Sequence, residues 1–132
     1  MTLPDDILAL ANRFIEAIQA GDLESVKDCY HPKVEVWLNT TGVAVDREAS
    51  LAVLSGFAAR TSERRYEDRR LRLLTDGYVQ QHVLRAVHIA GPVLTLPAVL
   101  VCKVRDGRIV RLEEYFDSAP LAVWRAQAAA AA

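Results

Sequence analysis

Asp117 closes the alternating run Arg108 to Asp117 and is the carboxyl in this chain best suited to acid/base chemistry. Strand alternation puts it on one face with Ile109, Glu113 and Tyr115, and puts Val110, Leu112, Glu114 and Phe116 on the other. Burial among apolar neighbours pushes a carboxyl toward its neutral acid, by about 3–5 pKa units when complete, whereas a nearby arginine or amide donor favours the carboxylate. The neutral form suits a general acid/base in a ring closure, a double-bond shift or a dehydration, and the charged form suits orientation of a water. The same residue can instead cap a helix beginning near Pro120.

Arg85 is the second candidate. It interrupts the face formed by Val79, Gln81, Val83, Val87 and Ile89, which is otherwise mostly apolar and is predicted to look into a cavity. A guanidinium there needs a carboxylate or a substrate oxygen, because burying it unpaired is too costly. Asp117 and Glu113 are the available carboxyls, and the alternative is a surface arginine reached through a bulge. Gln80, His82, Ala86 and His88 then face solvent or an oligomer contact. A one-residue slip would exchange the faces and bring Gln80 and His82 inward, with His82 as a base or substrate contact. Trp37 and Asn39 lie together on a strand from Lys33 to Asn39, opposite Val34, Val36 and Leu38. Trp37 offers ring area and one N–H donor. Asn39 either holds a polar group or satisfies the turn before Gly42.

These residues need a scaffold, and the chain reads as helices followed by strands. Thr2 is expected to cap a first helix with Pro4 and Asp5 in its opening turn, and Gly21 ends it. Asp22 caps a shorter helix that His31-Pro32 stops, and Asp46 caps a third, containing Leu51, Leu54 and Phe57, that runs to about Thr61. Strands are expected over about Tyr66–Thr75, Tyr78–Ala90 and Thr95–Arg105, followed by a hairpin through Asp106-Gly107, the dipeptide most tolerant of that turn. A short helix from about residue 119 and an alanine tail, read as frayed, complete a single domain over residues 1–132.

The formal net charge of −1 argues against a nucleic-acid partner, since the run from Arg60 to Arg72 is broken by Glu63, Glu67 and Asp68 and reads as a solvated strand edge. No apolar run reaches the roughly 18 residues a membrane span requires. Cys29 and Cys102 read as separate buried thiols, and no His/Cys/carboxylate grouping has metal-ligand spacing, so no metal is expected. Without an export signal, the expected compartment is the cytoplasm.

Helices, a strand, a helix and a long meander ending in DGRIVRLEEYFD resemble the nuclear transport factor 2-like superfamily, in particular its SnoaL-like branch, over Leu3 to Ser118. The resemblance implies an α+β cone, three helices packed on a curved, mostly antiparallel sheet around an apolar cavity. It also implies cofactor-independent chemistry on a small oxygenated hydrophobic substrate and a homodimer formed through the sheet. Tyr115-Phe116-Asp117 is similar to the strand end that carries a catalytic aspartate in limonene epoxide hydrolases. Asn39 matches their water-holding amide, while Trp37 replaces their tyrosine and VQQHVLRAVHI lacks their second acid. SnoaL-like cyclases use a single aspartate. Asp117, Arg85 and Asn39 are therefore the expected catalytic set, and Trp37, Tyr115, Val83, Phe57 and His82 the expected substrate contacts.

Overall fold

Pro4 at the first helical position, with Asp5 and Asp6 behind it, starts α1 (Pro4–Ala20), which buries Ile7, Leu10, Ala11, Phe14, Ile15 and Ile18 along one face. The structure, a computed structural model, describes residues 2–132. Thr2 is not the cap: Leu3 occupies that position without a side-chain bond, and the Thr2 hydroxyl instead accepts from the Gly107 N–H at 3.2 Å. Gly21 ends α1 at φ 70°, the left-handed conformation glycine adopts most cheaply. Asp22 caps α2 (Leu23–Cys29) by accepting from the Ser25 N–H, as its type predicts.

The chain then enters β1 (Tyr30–Leu38) without a loop, three residues before the strand start expected at Lys33. A two-residue β2 (Ala44–Val45) folds back on β1, and Asp46 caps α3 (Arg47–Arg60). β3 (Thr61–Leu74) follows α3 directly, so the strand starts well before Tyr66. β4 (Gly77–His88), β5 (Val93–Arg105) and β6 (Arg108–Phe116) complete a meander, and α4 (Ser118–Ala131) runs on through the alanines.

The strands form one curved, unclosed sheet in the order β2-β1-β6-β5-β4-β3, antiparallel except for the parallel pair β1 and β6. α1, α2 and the inner residues of the sheet share the main core, to which Tyr30, Val34, Tyr78, Cys102 and Leu112 contribute. A second core at the other end packs Trp124 of α4 against Leu84, Ala86, Leu94 and Leu96. Both cysteines are buried and unpaired.

Two irregularities decide which side chains point inward. The β5–β6 register shifts between Lys103 and Val104, and Ile109, fully buried, joins the main core with Leu112 rather than sharing a face with Asp117. In β3 the register shifts between Glu67 and Arg70, with Asp68 at φ 52°, and Arg69 reaches Gln80 of β4. The rest of β3 is a charged sheet edge, as its composition predicts. Tyr66 and Arg64 are exceptions: Tyr66 packs against the main core, and the Arg64 guanidinium turns onto the ends of α1 and α3.

Candidate active site

Period-two alternation identifies two faces of a strand, and the concave one here is the opposite of the face expected to carry the chemistry. Burial alternates along β4 with Gln80, His82, Leu84 and Ala86 inside, so Val83 and Arg85 lie on the outer face. Arg85 donates to Glu63 on the neighbouring strand at 3.3 Å and pairs with neither Asp117 nor Glu113. Trp37 and Tyr115 are likewise outside the cavity, their rings tilted against one another with centroids 5.3 Å apart. Phe57 packs on Trp124 in the second core, 6.4 Å between centroids, away from the cavity lining.

Asp117 and Asn39 are both committed to the backbone. Asp117 is exposed and caps α4, its Oδ1 accepting from the Ala119 N–H at 2.9 Å. Asn39 uses both ends of its amide on Phe116, donating to the carbonyl at 3.1 Å and accepting from the N–H at 3.0 Å. It thereby prolongs the β1–β6 pairing past the end of β1. Neither side chain lines the cavity, so the expected catalytic set is not assembled there.

The cavity lies between the concave sheet face and helices α1 and α3, with a volume of about 260 Å³. Its walls are apolar, with Phe14 and Ile18 from α1, Leu54 from α3, and Val36, Leu100 and Leu112 from the sheet. Glu114 projects into it from β6 and is the only carboxyl among the described residues that line it. No described residue pairs with that carboxyl, and burial raises its pKa from 4.5 to about 7. Its neighbours in sequence differ: Glu113 accepts from Arg111 at 2.9 Å on the outer side. Glu114 has the same sequence signature as Arg85, one charged residue on an otherwise apolar strand face, here with Val110, Leu112 and Phe116.

Two phenols share the cavity with this acid. Burial holds the Tyr66 and Tyr30 hydroxyls above the usual range, and the Glu114 charge raises that of Tyr66 further, so both stay protonated. The Tyr30 hydroxyl is engaged with Ser50 of α3 at 3.0 Å, while no described residue hydrogen-bonds the Tyr66 hydroxyl.

His82 stands behind Tyr66, the rings meeting edge to face at 4.8 Å. The Gln80 carbonyl accepts from Arg69 at 3.0 Å, so its amide nitrogen is the donor to His82 Nδ1 at 2.9 Å and the ring proton sits on Nε2. Burial, then the Arg69 charge, lower the His82 pKa from 6.5 to about 4. His82 is therefore a neutral support for Tyr66 rather than a wall of the cavity. Among the described residues, no group of three or more His, Cys, Asp or Glu could hold a metal ion. No described helix is long and apolar enough to cross a membrane.

Helices over the concave face of a curved, unclosed sheet define a cone of the nuclear transport factor 2-like type. The chain belongs to the SnoaL-like domain family, whose pattern matches residues 11–112 and so stops two residues short of Glu114. Among solved structures it is similar to AclR of Streptomyces galilaeus, a candidate hydroxylase, at 15% identity and TM-score 0.82, covering 93% of this chain and 82% of that one. It is also similar to IdmH of Streptomyces antibioticus, a candidate polyketide cyclase, at 23% identity and TM-score 0.78, covering 95% and 99%. A candidate isomerase of Bacillus subtilis shares 12% identity at TM-score 0.82, covering 96% of each chain. No curated protein matches the sequence. At these identities the structures establish the fold alone.

Proposed function

We propose that this protein is a cofactor-independent acid/base enzyme, of cyclase or isomerase type, acting on a small oxygenated hydrophobic molecule in the cone cavity. The observation that carries this reading is Glu114, an unpaired carboxyl in an apolar chamber, titrating at about 7 where it can both take and return a proton. Glu114 replaces Asp117 as the acid/base group because the Asp117 carboxylate is exposed and holds the end of α4.

In the proposed reaction the Glu114 carboxylate removes a proton from carbon next to a substrate carbonyl. The C–H electron pair forms a carbon–carbon double bond and displaces the carbonyl π pair onto oxygen, where the Tyr66 hydroxyl donates a hydrogen bond to the developing charge. The resulting enolate either attacks a second carbonyl, closing a ring and leaving an alkoxide to which Glu114 returns the proton, or receives that proton from Glu114 at another carbon, shifting a double bond. Charge development is favoured because the apolar walls leave Tyr66 little competing water.

Nitrobenzisoxazole tests this without knowledge of the natural substrate, since its ring opens when a base removes one carbon-bound proton. Turnover should rise with pH, reaching half its maximum near the Glu114 pKa of about 7. In Glu114→Gln it should fall by about a hundredfold or more, with the circular dichroism spectrum unchanged. Asp117→Asn should keep the activity. Turnover retained in Glu114→Gln, or lost in Asp117→Asn with the fold intact, would sink the assignment, and ligand binding without proton transfer would identify a carrier.

A further inference from the structure

The cavity has an apolar rim that a ligand fitting wholly inside it would leave in water. Val43, Val45 and Val53 line the cavity, yet they are 60%, 38% and 64% exposed, so they stand at its mouth. Val43 comes from the β1–β2 connection and Val45 from β2, whereas Val53 comes from α3, which places them on two sides of the opening. Thr41, the polar residue of this rim, has its hydroxyl engaged within its own loop, within 3.4 Å of the Leu38 and Val43 carbonyls and 3.2 Å from the Val43 N–H. The rim thus offers a ligand apolar contact and little else.

The chamber is also small, and among the described residues no cation lines it. Its volume of about 260 Å³ lies just under the roughly 300–1,000 Å³ of pockets that enclose a drug-sized molecule. No Lys, Arg or His is among the residues lining it, so an anionic head group would meet Glu114 with no compensating cation.

We infer that the ligand is a neutral molecule longer than the chamber, with an oxygenated head beside Glu114 and Tyr66 and an apolar tail leaving across Val43, Val45 and Val53. The valine rim selects for that tail. This rests on the cone cavity being the ligand site and is independent of proton transfer there.

A series of para-methoxyphenyl n-alkyl ketones, from methyl to heptyl and neutral throughout, tests it by titration calorimetry at pH 8. Affinity should climb about two- to fourfold per methylene through the longest chains, as expected for apolar surface leaving water. In the double variant Val43→Ser/Val53→Ser the heptyl ketone should lose about tenfold in affinity and the methyl ketone no more than about twofold. A para-carboxyphenyl analogue should bind at least about tenfold more weakly than its methoxy counterpart. Affinity that levels off once the chamber is full, equal losses for short and long ketones, or undiminished binding of the carboxylate would each overturn the inference. Glu114→Gln should keep the chain-length dependence. If that dependence fails while wild-type nitrobenzisoxazole turnover persists, the rim assignment falls alone. If turnover fails while the dependence holds, the acid/base reading falls alone.

Discussion

Glu114→Gln should be more stable than the wild type at pH 8, by at most about 3 kcal/mol, and equally stable near pH 4. The sign follows from the proton count. Burial raises the Glu114 pKa in the folded protein from 4.5 to about 7, so between those values the folded chain holds a proton that the unfolded chain has released. Wild-type stability from this group is greatest below about 4.5 and is lost as pH rises through 7. Water entering the chamber solvates the carboxylate and makes the stated figure an upper one. His82 acts in the opposite sense. Its pKa is lowered from 6.5 to about 4, so its contribution is complete above 6.5 and is lost as pH falls through 4. Between about 4.5 and 6.5 the two slopes oppose one another, and the wild type should show little pH dependence from them. Urea unfolding at half-unit pH steps checks this. Glu114→Gln should expose the His82 slope, and His82→Asn, which keeps an acceptor for Gln80, should expose the Glu114 slope. Parallel pH curves for wild type and Glu114→Gln would show that Glu114 is solvated and that its titration is ordinary.

Arg64→Met should cost roughly 3–4 kcal/mol, although Arg64 sits in the most charged stretch of the chain. Its guanidinium donates to the Ile18 and Gln19 carbonyls, both at 3.2 Å, at the end of α1, and to the Ala58 carbonyl at 3.3 Å near the end of α3. It also donates to the Thr61 carbonyl at 3.0 Å and hydroxyl at 2.7 Å. These carbonyls lie where helices run out of N–H partners, and a cation there also complements the helix dipole. Methionine retains most of the stem's packing and removes every donor. Arg64→Lys should recover less than half of the loss, because one ammonium cannot span two helix ends. A neighbouring exposed residue, Arg65→Met, gives the comparison and should change stability by less than about 1 kcal/mol. Equal small losses at positions 64 and 65 would mean that the clamp contributes nothing.

The architecture was readable in the sequence wherever a local rule has one physical outcome. Asp22 and Asp46 cap the helices they precede, Gly21 ends α1, and Asp106-Gly107 turns β5 into β6. The site was less readable because alternation gives two faces without saying which is concave. The resemblance to a catalytic aspartate drew attention to the face of Asp117, while the stronger apolar pattern of Leu112 and Phe116 marked the other face as the inner one. Asp117 itself obeys a local rule, since an aspartate two residues from a helical N–H is an effective cap. The inward turn of Arg64 has no local signature, because its partners come from α1 and α3.

The parallel contact between β1 and β6 also sets an order of assembly. The meander from β3 to β6 joins sequence neighbours through short turns, whereas Val36 must find Leu112 and Trp37 must find Glu113 across most of the chain. Loop closure over that distance is entropically expensive, so the meander should form first and the N-terminal helices should dock when β1 inserts beside β6. Pulsed hydrogen exchange should protect amides of β4 and β5 before those of β1, and the reverse order would refute this. On a ribosome, the helices that roof the cavity emerge before the meander yet cannot close it until the last strand has been made.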